Sequence, residues 1–113
     1  MSEPGTFHTG LAAGRWQTLT IVEQLANVGS EVDRAIRADQ AGKHERRDRA
    51  IDRALELFDL TATDPRWRYP RRREILRARE EFCRLFFGDR MPGAAASLQK
   101  YFLYFALAAR RTA

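Results

Sequence analysis

The chain has 113 residues, of which 44% are hydrophobic and 31% are charged, and its formal net charge at pH 7 is +5. This length is typical of one domain. No apolar run reaches the roughly 18 residues that a membrane-spanning helix requires, so no membrane partner is expected. The only cysteine is Cys83, which excludes an intrachain disulfide and a metal site built from several cysteines.

Residues 1–15 contain Pro4 and three glycines and show no apolar period, which predicts a flexible N-terminal tail. The same stretch lacks the basic and then apolar order of a secretory signal. A cytoplasmic protein is therefore expected, and the lack of disulfides permits this location. Residues 16–113 are predicted to form the folded domain.

The first predicted helix covers residues 16–41. Its apolar residues recur every three or four positions and so share one face: Ile21, Leu25, Val28, Val32 and Ile36. Gly29 lies on this face, where a glycine costs about 1 kcal/mol relative to alanine, so we expect it to permit close approach of another helix. Gly42 suits a left-handed cap at the helix end. A polar stripe is either a solvated face or a hydrogen-bonded layer: Thr20, Gln24, Asn27, Glu31 and Arg34.

Three further helices are predicted at residues 44–63, 70–87 and 95–111. Pro65 ends the second helix, because the residue before a proline is pushed out of the helical region, and Pro70 suits the first turn of the third. Four helices with short connections, and no strand pattern, predict an all-α fold with the architecture of an up-and-down four-helix bundle.

The apolar stripes predict which side chains meet at the centre of this bundle. One large residue from each helix is expected there: Leu25, Phe58, Phe82 and Phe105. Arg79 falls on the apolar side of the third helix and needs an acidic partner if it is buried. The candidate partners are the aspartates of the second helix: Asp48, Asp52 and Asp59.

Seven short blocks within residues 16–111 share features with other proteins: WQ at 16–17, EQLAN at 23–27, GSEV at 29–32, RALEL at 53–57, DLT at 59–61, KYF at 100–102 and AAR at 108–110. In these blocks the chain resembles a family of short, uncharacterised bacterial all-helical proteins. The resemblance implies a helical fold and brings with it no known activity.

Charge is divided unevenly along the chain. Residues 1–65 carry 8 Lys/Arg and 11 Asp/Glu, whereas residues 66–113 carry 12 and 4. Residues 66–73, here called the basic–aromatic segment, contain five arginines with two aromatic residues between them. Guanidinium groups match phosphate geometry, and aromatic rings stack on unpaired bases. The predicted nucleic-acid-binding residues are Arg66, Trp67, Arg68, Tyr69, Arg71, Arg72 and Arg73.

A second interpretation of the basic–aromatic segment is structural. Trp67 would then close the end of the bundle. Some of the arginines would pair with Asp64 or with the aspartates of the second helix.

A surface for self-association is predicted on the fourth helix. Leu103 and Leu107 lie four residues apart among polar neighbours and form one outward ridge that Tyr104 can extend. Basic residues beside the ridge resemble the polar rim of an apolar interface. The alternatives are that these leucines are simply exposed or are packed under the N-terminal tail.

The leading hypothesis is a non-enzymatic, homo-oligomeric helical-bundle accessory protein that binds nucleic acid, either RNA or single strands. The alternative is an adaptor whose basic surface meets an acidic partner protein. A third hypothesis rests on Arg37 and His44, whose spacing resembles the R-x4-6-H signature of HEPN ribonucleases. In that family the Arg and His converge, but here Ala38 replaces the usual polar residue and Gly42 is expected to break the helix before the histidine.

No cofactor, metal ion or catalytic residue is predicted. A ferritin-like site needs a glutamate three residues before a helical histidine, and neither His8 nor His44 has one. Cys83 is interpreted as a small core residue rather than a nucleophile.

Overall fold

The structure is a computed structural model and describes residues 14–112. It contains a short 3₁₀ turn at Trp16–Thr18 and four helices: α1 (Ile21–Gln40), α2 (His44–Ala62), α3 (Arg71–Phe87) and α4 (Ala94–Thr112). No strand occurs among the described residues, and the predicted all-α fold is confirmed. Most of the predicted tail, residues 1–13, lies outside the described part of the chain.

The four helices form the predicted up-and-down bundle. α1 packs most extensively against α2 and α4, and α3 completes the bundle through smaller contacts with the same two helices. None of the described helices combines the length and the hydropathy that a membrane span needs.

The start of α1 differs from the prediction, which placed it at residue 16. Thr20 caps the helix, because its hydroxyl accepts a hydrogen bond from the Glu23 amide at 3.1 Å while the Glu23 carboxylate accepts one from the Thr20 amide at 2.9 Å. Residues 16–18 therefore form a separate 3₁₀ turn ahead of the cap. At the other end, Gly42 has a φ of +70°, as expected for a left-handed cap.

The four predicted central residues are all buried, so this part of the core prediction is confirmed. The ring of Phe58 lies 5.8 Å from that of Phe82 and 6.0 Å from that of Phe102, measured between centroids. Phe105 instead packs against Tyr101 and Tyr104. Phe102, rather than Phe105, thus carries α4 into the central ring cluster.

Gly29 lets α4 approach α1 closely, as its position predicts. A Cβ atom at residue 29 would lie 2.6 Å from the Cβ atom of Phe102, closer than two carbon atoms can pack. The missing side chain therefore makes room for Phe102 to reach the centre of the bundle.

Candidate nucleic-acid interface

The connection between α2 and α3 is held by a buried carboxylate at one end of the bundle. Asp64 is fully buried, and both of its oxygens accept hydrogen bonds. Oδ1 accepts from the backbone amide and Nε of Arg66, both at 3.0 Å. Oδ2 accepts from Arg66 Nη2 at 2.7 Å and from Gln24 Nε2 at 2.9 Å. We call Gln24, Asp64, Arg66 and Trp67 the Asp64 cluster.

Trp67 and Arg66 complete this cluster from the basic–aromatic segment. Trp67 Nε1 donates to Gln24 Oε1 at 2.8 Å, and its half-buried ring packs against the core. The Arg66 guanidinium lies 4.5 Å from the Trp67 ring centroid and also donates to the Leu19 carbonyl at 2.7 Å. These two residues of the predicted site therefore close the bundle end, as the structural interpretation proposed.

The electrostatics of the cluster favour an ionised Asp64. Hydrogen bonds from the Arg66 guanidinium lower the pKa of Asp64 to about 2, against burial, which raises it, and the Gln24 amide lowers it further. The same contact raises the pKa of Arg66. The pair is therefore charged throughout the physiological range.

Gln24 belongs to the polar stripe of α1, which was expected to be either a solvated face or a hydrogen-bonded layer. For Gln24 and Glu31 the expectation of a solvated face is wrong, because both residues are buried. Glu31 forms ion pairs with Arg34 at 2.7 Å and with Arg53 of α2 at 3.0 Å. Burial of these groups is tolerated because each has polar partners inside the bundle.

Two of the predicted internal ion pairs can be checked directly. Arg79 Nε lies 3.0 Å from Asp59 Oδ1, which confirms the aspartate of α2 as the partner of Arg79. Asp64 pairs with Arg66, as the structural interpretation of the segment required.

Arg72 is also partly engaged by the α2–α3 connection. Its Nη2 donates to the Asp64 carbonyl at 3.3 Å, and its buried Nε has no hydrogen-bond partner in the described part of the chain. Arg72 is therefore less available to a ligand than its position in the sequence suggests.

The remaining four predicted site residues of the basic–aromatic segment face solvent. Arg68, Arg71 and Arg73 are exposed and form no ion pair within residues 14–112, and Tyr69 is 77% exposed. We call these four residues the exposed basic patch. The structure thus divides the seven predicted site residues into three that hold the connection and four that are open to a partner.

The predicted self-association surface is also open. Leu103, Tyr104 and Leu107 are all exposed on α4, and Tyr104 is 68% exposed. Leu103 and Lys100 also line a groove of about 610 Å³ between α1 and α4.

The residues of the HEPN hypothesis lie on different helices. Arg37 is exposed in the last turn of α1 and pairs with Asp33 at 2.8 Å, whereas His44 is the exposed first residue of α2. Among the described residues there is no hydrogen bond between the two side chains. The structure also brings together no group of three or more metal-ligating side chains in residues 14–112.

One cationic surface was missed by the sequence reasoning. A groove of about 560 Å³ between α1 and α2, here called the α1–α2 groove, is lined by six basic residues: Arg34, Arg37, Lys43, Arg46, Arg49 and Arg53. The spacing of the last four along one face of α2 was a visible signal. The total charge of residues 1–65 did not reveal this surface, because acidic residues outnumber basic ones there. A total does not show where the charges lie.

A comparison with protein-family models gives no match, and searches of curated proteins and of solved structures give none either. The resemblance to short bacterial helical proteins therefore stays a prediction.

Proposed function

We propose that the protein binds single-stranded nucleic acid, RNA or DNA, through the exposed basic patch, as a non-enzymatic accessory protein. The observation that carries this proposal is the arrangement around Tyr69. Its ring is 77% exposed, and it lies between arginines that have no carboxylate partner among residues 14–112. An open ring can stack on an unpaired base while guanidinium groups bind the neighbouring phosphates.

The Asp64 cluster supports the proposal by anchoring the patch. Asp64, Arg66 and Trp67 tie the chain immediately before Arg68 to Gln24 of α1 and to the Leu19 carbonyl just ahead of α1. A connection fixed in this way loses less conformational freedom when it binds a ligand.

The start of α3 adds to the positive potential. Pro70 is its N-cap and forms no side-chain cap hydrogen bond, and Arg71 and Arg73 lie in the first helical turn. Helix N-termini attract anions through their free amides and the helix dipole. Because the Arg72 amide already donates to the Arg68 carbonyl at 3.0 Å, phosphate groups would meet the guanidinium groups and the other amides of this turn.

The first test replaces Arg68 and Arg73 by alanine. Each lost phosphate contact lowers the slope of log K against log salt by about 0.7 on single strands, so the double variant should lose about 1.4. Fluorescence anisotropy with a labelled strand of about 20 nucleotides, titrated at several salt concentrations, measures this slope.

Tyr69→Ala should weaken binding by about 1–3 kcal/mol while Tyr69→Phe, which keeps the ring, should not.

The matched control is Arg77→Ala/Arg84→Ala on α3, which removes the same charge from residues outside the defined patch. An unchanged salt slope in the Arg68→Ala/Arg73→Ala variant would contradict the proposal. Failure of the wild-type protein to bind a strand at about 50 mM salt would favour the alternative, an acidic partner protein.

We also propose that the protein self-associates through Leu103, Tyr104 and Leu107. Leu103→Glu/Leu107→Glu places two charges on the apolar ridge and should convert the oligomer to monomers, as measured by light scattering at micromolar concentration. Leu76→Glu/Phe87→Glu, which alters two exposed apolar residues of α3, should leave the mass unchanged. A wild-type protein that is already monomeric at this concentration would exclude the interface.

A further inference from the structure

The α1–α2 groove lies at the opposite end of the bundle from the Asp64 cluster. It is formed by the C-terminal half of α1 and the N-terminal half of α2, whereas the cluster joins the start of α1 to the residues after α2. Besides its six basic residues, the lining that the described residues provide consists of the small side chains of Ala38, Ala41 and Ala50. Its floor is therefore apolar and its edges are cationic.

Half of these cations already have partners inside the protein. Arg34 and Arg53 pair with Glu31, and Arg37 pairs with Asp33. These ion pairs hold three guanidinium groups in defined positions along the groove.

The other three cations form no ion pair within the described residues. Lys43, Arg46 and Arg49 are exposed and lie side by side at the start of α2. Uncompensated positive charge next to oriented guanidinium groups attracts a ligand that carries several negative charges.

The spacing of the cations fits an extended ligand. Residues three or four apart on a helix have Cβ atoms about 5–6 Å apart, so Lys43, Arg46 and Arg49 form one row, which Arg53 continues. With a rise of about 1.5 Å per residue, this row is about 15 Å long. Arg34 and Arg37 face it from α1. Two facing rows of this length suit a chain of anionic groups better than a single ion.

The first turn of α2 adds positive potential to the groove. The N-cap, Lys43, forms no side-chain cap hydrogen bond with this turn. The facing end of α1 adds little negative potential, since the amides of Ala41, Gly42 and Lys43 donate to its last carbonyls at 2.8–3.1 Å.

The lining favours phosphates over an acidic protein. A protein interface is usually centred on large apolar or aromatic anchors, whereas the apolar residues that line this groove within residues 14–112 are three alanines. A groove of arginine, lysine and alanine also offers no ring for base stacking and no amide side chain for reading base edges. It can hold phosphates through guanidinium forks without distinguishing the bases attached to them.

We propose that the α1–α2 groove binds the sugar–phosphate backbone of a double-stranded nucleic acid without reading its bases. This surface is separate from the exposed basic patch, which recognises unpaired bases. The protein therefore has two nucleic-acid contacts at opposite ends of the bundle. Nucleic-acid binding at the α1–α2 groove does not require the exposed basic patch.

A duplex of about 20 base pairs is the probe that favours the groove, because it presents phosphates along its length but no unpaired base on which Tyr69 could stack. Binding is measured by anisotropy from about 50 mM salt upward. Arg46→Ala/Arg49→Ala should weaken duplex binding about tenfold and lower the salt slope by about 1.8, since each phosphate contact on duplex DNA contributes about 0.9. Both residues are exposed, and alanine is a better helix former than arginine, so the variant should fold.

Two controls complete the experiment. Arg77→Ala/Arg84→Ala, with the same net charge, should change duplex affinity less than twofold, and duplexes of different sequence should bind the wild type equally. The groove assignment is overturned if the wild type binds no duplex at about 50 mM salt, or if both double variants lose the same affinity. Single-strand binding that depends on Tyr69 would survive either result, so the two proposals can fail separately.

Discussion

Replacing Phe82 by alanine is expected to lower the free energy of unfolding by about 3–5 kcal/mol. The Phe82 side chain is fully buried, with its ring centroid 5.8 Å from that of Phe58 and 5.3 Å from that of Phe86. Truncation removes the transfer free energy of the ring and leaves a cavity. The ring cluster joins α3 to α2, so the helices cannot collapse into this cavity without disturbing the contacts of Phe58 with α4.

Urea denaturation followed by circular dichroism measures this loss. Phe87→Ala on the same helix is the matched control, because Phe87 is 69% exposed and its truncation should change stability by less than about 0.5 kcal/mol. A Phe82→Ala variant that is as stable as the Phe87→Ala variant would mean that the ring cluster is not the centre of the fold.

Asp64→Asn is expected to lower stability by about 2–3 kcal/mol at pH 7. The amide of asparagine would lose the ion pair with Arg66 and would turn a donor group toward the donors of Arg66 and Gln24. About 2 kcal/mol of the loss corresponds to the lowering of the Asp64 pKa from 3.8 to about 2.

The loss should depend on pH. A carboxyl group whose pKa is lower in the folded state stabilises the fold fully above its unfolded pKa, and this contribution disappears as pH falls toward the folded value. The difference in the free energy of unfolding between wild type and Asp64→Asn should therefore be constant above a pH of about 5. It should shrink as the pH falls from about 4 to about 2.

Denaturation at a series of pH values checks both the size and the pH window. Asp59→Asn serves as the control, because Asp59 is largely exposed in its pair with Arg79 and such pairs contribute about 0.2–1 kcal/mol. If the difference in the free energy of unfolding between wild type and Asp64→Asn does not change between pH 5 and 2, Asp64 does not stabilise the fold through its charge.

The sequence predicted the helices and the core well because both depend on local periodicity. Apolar residues every three or four positions identify the buried face of a helix, which is why Leu25, Phe58 and Phe82 were placed correctly. The start of α1 was missed because Thr20 and Glu23 form a capping box. The capping box is hard to recognise in the sequence, because apolar residues continue both before and after it.

The candidate sites were predicted less well because ion pairing is not a local property. Arg66 contacts Leu19, and Trp67 contacts Gln24, across more than 40 residues of chain. A run of five arginines does not show which of them will have such partners. The sequence therefore identified the basic–aromatic segment but could not separate Arg66, Trp67 and Arg72 from the four predicted site residues that stay open.

By itself, the sequence determined an all-α bundle, its apolar faces, the close approach at Gly29 and the position of a basic segment between α2 and α3. Only the tertiary structure decided that Gln24, Glu31 and Asp64 are buried and which cations remain unpaired. It also decided that the arginines of α1 and α2 meet across one groove. The physical reason is that helix faces follow from spacing along the chain. The pairing of charges and the shape of a groove follow from which helices become neighbours in space.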